Sequence, residues 1–117
     1  MMRVKSDELA VEAAKERARV AQEAESLARE RAIHEAWRRR EQLTTIVRRI
    51  DRRLSSDYAP MIPAGQTREL KRASRGGETI LACFTSRVFP MAGTAQIVEW
   101  NANARSWIER AEEVLHG

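Results

Sequence analysis

The chain has little with which to do chemistry. It holds one cysteine, Cys83, so no intramolecular disulfide can form, and a reducing, cytoplasmic setting is the simplest expectation. Its two histidines, His34 and His116, lie far apart, and no Cys/His spacing supports a zinc site. A His34–Cys83 nucleophilic pair needs an orienting third group and an oxyanion donor, so Cys83 reads as an ordinary buried cysteine. Gly76-Gly77 lacks the spacing and the lysine of a phosphate-binding loop. No pair of carboxylates stands out as an acid/base couple, and Tyr58 beside Asp57 offers only a local hydrogen-bonding pair. We therefore expect no enzyme, no cofactor and no metal. Long apolar runs are missing too, which excludes a bilayer-spanning helix, and the start MMRVKSDELAVEAAKERA has no apolar signal region. A soluble cytoplasmic protein is the expectation, with no membrane partner.

Lysine is scarce as well. Only Lys5, Lys15 and Lys71 are present among 21 basic residues. That bias has two readings, a GC-rich coding sequence or a preference for planar, bidentate contacts. The formal net charge of +4 is compatible with nucleic acid or another acidic partner and is too small to prove either.

What the chain does have is helical periodicity. The stretch from Arg31 to Leu54, RAIHEAWRRREQLTTIVRRIDRRL, organises the rest. At about 100° per residue, Ala36, Leu43, Val47, Ile50 and Leu54 share one side, flanked by Ile33 and Ile46. Arg38, Arg49 and Arg52 lie roughly opposite, with Arg48 and Arg53 on the shoulders. Arg40 points toward the apolar side, where its stem can pack while its head reaches water. Glu35 and Arg39 are spaced for an i,i+4 pair. The plain reading is a core-facing helix with a solvated charged face. The sharper one is an anion-binding face, because few acids compensate these arginines.

Ahead of it, Ser6 or Asp7 can cap a helix rich in Ala, Glu and Arg, without Gly or Pro as far as Glu30. Its apolar stripe is thin: Ala10, Ala13, Ala14, Val20, Ala21, Ala24, Leu27 and Ala28. Ala13, Val20 and Leu27 repeat by heptads, a weak coiled-coil signal that Arg17 and Arg31 interrupt. No breaker lies near His34, so one helix is expected over 7–56, carrying two seams that bury different faces. Such a helix must touch two bodies: the rest of its own chain, and a second copy or a different protein.

Two prolines and a glycine between Ser55 and Gly65 mark the clearest loop. Thr67 is placed to cap a second helix over 67–89, with Leu70 and Ala73 inward. Gly76-Gly77 is expected to stop or kink that helix, or to allow a tight turn or close packing. Ile80, Leu81, Phe84 and Val88 fit helical spacing, although ETILACFTSRVF is also short and β-rich. After a turn at Pro90–Gly93, Thr94 is placed to cap a last helix over 94–115. Its stripe is Ile97, Ala104, Ile108, Ala111 and Leu115, with Trp100, Trp107 and Val114 on the shoulder. The two tryptophans read as core or, if exposed, as anchors for a partner.

The expected architecture is one all-α domain over 1–117: a long N-terminal helix, coiled-coil or partner-docking, and a small C-terminal helical bundle. The expected function is a non-enzymatic protein-interaction module, a small regulator, inhibitor or assembly factor acting as a homodimer or on another protein. Small proteins of phages and mobile elements share this texture. The alternative is a nucleic-acid-binding accessory protein using Arg38, Arg48, Arg49, Arg52 and Arg53 on phosphates. Trp100 and Trp107 complete the expected partner-contact set.

Overall fold

The computed structural model describes residues 2–85, 88 and 91–116, with side chains from Ser6 onward. The described residues are all-α, as expected. Helix α1 spans Met2–Ser55, α2 Ala64–Leu81 and α3 Thr94–His116, with short 3-10 turns at Ala59–Met61 and Ala82–Phe84. Neither strand nor bridge occurs among the described residues, so the β-rich composition of 78–85 does not produce a sheet edge. Helix α1 passes His34 without interruption, as the lack of Gly and Pro there required. The chain divides into two compact units, residues 1–31 and 32–117, and each is taken by itself.

The first unit has no core. From Ser6 to Arg31 every side chain is exposed except Arg29, which is half-buried. Its charges are paired along the helix: Lys15 with Glu12, and Arg19 with both Glu16 and Glu23. Exposed pairs of this kind contribute roughly 0.3–0.5 kcal/mol each.

The second unit carries the core. The predicted apolar face of α1 supplies Ala36, Leu43, Ile46, Val47 and Ile50, all buried, with Ile33 and Leu54 half-buried at its edges. Helix α3 supplies Ile97, Ala104, Ile108 and Ala111 from the predicted stripe, with Leu115 partly covered. Leu70 from α2 and Phe84 from the following turn close the packing. Full burial of each large aliphatic side chain contributes about 1.5–3 kcal/mol, so this cluster rather than helix propensity holds the unit together.

Four polar contacts fix how the helices meet. Asn101 on α3 donates its Nδ2–H to the Ala32 carbonyl at 3.0 Å, inside the core. Arg53 on α1 donates Nη1–H to the Leu115 carbonyl at 2.6 Å. That carbonyl lies in the last turn of α3, where acceptors have no helical partner. Ser74 on α2 donates its hydroxyl to Asp51 Oδ1 on α1 at 2.7 Å. Trp107 on α3 donates its indole N–H to the Ala73 carbonyl on α2 at 3.0 Å.

Several expected boundaries move, each for a local reason. Helix α2 begins at Ala64, not Thr67. The Pro63 carbonyl accepts its first bond from the Thr67 N–H at 3.0 Å, and the Thr67 hydroxyl turns back to the same oxygen instead of capping. Helix α3 likewise starts with Thr94 inside it, because Ile97 N–H bonds to the Gly93 carbonyl at 3.0 Å. The helix expected over 67–89 ends at Leu81 and tightens into the Ala82–Phe84 turn, which drives Phe84 fully into the core. Thr85 is then extended and its hydroxyl accepts the Val88 N–H. Ser86, Arg87, Phe89 and Pro90, where that expected helix was to finish and turn, lie outside the described residues.

The largest correction concerns Gly76-Gly77, expected to stop or kink α2. The helix continues through both, so they do not stop it. What they allow is close packing, the other expectation for this pair. The Trp107 indole lies so near the helix backbone that a Cβ added at Gly77 would sit 2.5 Å from its Cζ2 and 2.6 Å from Val47 Cγ2. At Gly76 the nearest atom would be Trp107 Nε1 at 3.2 Å.

This contrast yields a paired prediction. Alanine raises intrinsic helix stability over glycine by about 1 kcal/mol at either position. At Gly77 the added methyl meets a stiff indole and a β-branched side chain, so overpacking dominates, and Gly77→Ala should destabilise by about 1–3 kcal/mol. Gly76→Ala should change stability by less than about 1 kcal/mol. Urea denaturation midpoints of the two variants check both, and an equal response at the two positions would contradict the packing argument.

Candidate docking surfaces

The seven residues expected to contact a partner separate into distinct roles. Arg38, Arg48, Arg49 and Arg52 are exposed on the side of α1 opposite its buried face. None of the four forms an ion pair among the described residues. Arg52 makes only a long 3.5 Å contact to the Arg48 carbonyl of its own helix. Arg53, expected on the shoulder of this face, turns inward to the end of α3 and belongs to the fold. Trp107 is corrected as a partner contact: it is only 6% exposed, and its N–H is used by Ala73. Trp100 is half-buried and packs against the core. The core reading of the tryptophan pair is therefore the one observed.

Two features were passed over in the sequence. One is Trp37, 41% exposed on the outer side of α1. The Arg40 guanidinium carbon stands 5.4 Å from its ring centroid, a cation–π distance. Arg40 is half-buried, as its inward position on the wheel predicted. The other feature is a basic ridge on α2. Arg68, Lys71, Arg72 and Arg75 follow an i, i+3, i+4, i+7 spacing, all are exposed, and none is ion-paired among the described residues. That spacing is legible in TRELKRASR. A scan for apolar periodicity sees only Leu70 and Ala73 there and misses the opposite face.

Charge is unevenly distributed along the chain. Residues 1–31 hold seven acids and seven bases, so the formal excess of +4 falls entirely on residues 32–117. Within those, 32–81 hold eleven bases against six acids, and 82–117 three against four. The excess therefore belongs to α1 and α2. The Glu35–Arg39 pair forms at 3.3 Å as expected, on the flank of α1 near its buried face.

The 6–31 segment differs in kind. Leu9, Val20 and Leu27 are 71%, 53% and 47% exposed, and the alanines between them are exposed as well. No described residue covers this stripe.

His34 is exposed, and Cys83 is half-buried against the core. No group of three His, Cys, Asp or Glu side chains among the described residues is placed to hold a metal ion. No helix of the described residues is long and apolar enough to cross a membrane.

The division among arginines is testable. Arg53→Ala removes a charge-assisted bond to a helix-end carbonyl and should cost about 1–2 kcal/mol. Arg49→Ala, on the outer face, should stay within about 0.5 kcal/mol of the parent. Thermal melts of the two variants under one buffer distinguish them; similar shifts would mean that Arg53 is no more structural than its neighbours.

No protein-family model, no curated protein and no solved structure matches the chain.

Proposed function

We propose that this protein is a non-enzymatic helical interaction module, a small regulator, inhibitor or assembly factor that docks on another protein through residues 6–31. One observation carries the reading: this segment is helical with its apolar stripe exposed, while residues 32–117 already possess a core of their own.

The physical case rests on marginal helix stability. Helices in proteins draw most of their stability from tertiary packing of an amphipathic face rather than from propensity, and this segment has no such packing within the chain's first unit. The ion pairs along this one add only tenths of a kcal/mol. A docked partner supplies what is missing. Alanines at Ala10, Ala13, Ala14, Ala21, Ala24 and Ala28 let a partner backbone approach closely, and Leu9, Val20 and Leu27 supply the larger contacts. A second copy of the chain is one such partner, and sedimentation equilibrium reads that case directly. The segment's balanced charge makes apolar contact the main source of affinity.

Val20→Asp combined with Leu27→Asp tests the proposal. The tagged full chain is used to capture partners from an extract of its source organism, treated with nuclease. The parent should retain a protein partner or self-associate. The double variant should lose it, with an affinity drop of roughly a hundredfold or more for about 3 kcal/mol of lost burial. The melting temperature of residues 32–117 should not move, because both side chains are exposed and neither belongs to the core cluster. A partner or dimer retained at full affinity by the double variant would sink the reading. In the protein alone, hydrogen exchange should be far faster over residues 6–31 than over 43–50, and should slow when the partner is added.

A further inference from the structure

We infer that the outer faces of α1 and α2, within residues 32–117, form a second docking surface, and that its partner is the phosphate backbone of nucleic acid. The inference uses none of the residues proposed above for protein docking.

The first argument is what the cations lack. Lys15, Arg19 and Arg39 are neutralised by glutamates on their own helix. Arg38, Arg48, Arg49 and Arg52 on α1, and Arg68, Lys71, Arg72 and Arg75 on α2, are exposed without such a partner among the described residues. Glu41, Asp51, Glu69 and Glu78 are the exposed acids on the same stretches of the two helices, four against the eight cations. Their field is therefore directed outward, and it accounts for the positive excess of the whole chain.

The second argument is position. The Ser74–Asp51 hydrogen bond, at 2.7 Å, joins α2 to α1. Arg48 and Arg52 lie within three residues of Asp51, and Lys71 and Arg75 within three residues of Ser74. Arg48 and Arg52 thus flank one side of this contact along α1 and Lys71 and Arg75 the other along α2, and its Asp51 side is exposed. From there the α1 ridge runs back to Arg38, about 21 Å along the helix at roughly 1.5 Å per residue.

The third argument is what matches such a surface. A discrete anion needs a pocket, whereas these cations lie along two open ridges. A polyanion presents charge at a matching length, about one per 1.7 Å of duplex axis, so a 20 Å ridge spans more phosphates than it has cations. Seven of the eight are arginines, whose planar fork pairs with two phosphate oxygens at once. A membrane surface would also attract them, but Trp37 is the one large apolar side chain exposed on the outer side of 32–55 in α1, too little for insertion. Beside the α1 ridge, Trp37 offers the aromatic surface that a laid strand would cover.

The test is fluorescence anisotropy of the full chain with labelled mixed-sequence duplex and single strands of roughly 30 nucleotides, from about 50 to 300 mM salt. The parent should bind, with log affinity falling linearly against log salt at a slope of about −4 to −7 for duplex. Arg49→Glu with Arg52→Glu on α1 should flatten that slope by about 2 and weaken binding at least tenfold near 100 mM salt. Lys71→Glu with Arg75→Glu on α2 should do the same, so a folding defect in one variant still leaves the other to decide. Val20→Asp with Leu27→Asp should bind as the parent does. Failure of the parent to bind any strand at the lowest salt would overturn the inference. So would slopes unchanged in both charge variants, or binding to phosphatidylserine vesicles with none to nucleic acid.

Discussion

The bundle depends on one indole lying against two glycines. Trp107 is the largest side chain in the core, and its N–H would be costly to bury without an acceptor. The Ala73 carbonyl supplies one, but only if α3 comes close to the backbone of α2. Gly76 and Gly77 permit that approach at a conformational cost of about 1 kcal/mol each. Burial of the ring and its hydrogen bond offsets this cost. Because Val47 of α1 meets the same spot, a single contact sets the spacing of all three helices. The Ser74–Asp51 bond lies one turn from it, so the same region of α2 that packs on the indole is also tied to α1.

Much of this was readable in the residues. The continuous α1, its apolar face from Ala36 to Leu54 and the α3 stripe all follow from periodicity and from the absence of breakers. These signals are local, and a helix reports its own buried face. The errors at Gly76-Gly77 and Arg53 share one cause, which is that the deciding partner lies far away in sequence. Gly76-Gly77 resembles a helix stop until Trp107 is placed above it. Arg53 resembles its surface neighbours until the end of α3 reaches it. Thr67 and Thr94 are good caps by type, yet the preceding Pro63 and Gly93 carbonyls start the helices earlier. The α2 basic ridge was legible and overlooked, because a search for hydrophobic spacing does not weigh the opposite face.

The two units present different physical chemistry to a partner. Residues 6–31 offer small apolar side chains amid balanced, mutually paired charge, a surface on which water release dominates. Residues 32–81 offer unpaired arginines, a surface on which ion release dominates. The same formal charge spread evenly along 117 residues would give neither property. Composition alone therefore conceals the arrangement, since +4 is the sum of a neutral segment and a basic one.

The absent side chain at position 77 also limits how this sequence can drift. Any replacement there needs the space now held by the Trp107 ring and a Val47 methyl, so single exchanges are blocked in both directions. A larger residue at 77 requires a smaller one at 107 or 47, and a smaller ring at 107 leaves a void that a side chain at 77 could fill. The three positions must then change together, while exposed positions outside the arginine ridges vary without this constraint. A distant relative would be recognised by this reciprocal exchange of volume long after its surface had become unrecognisable.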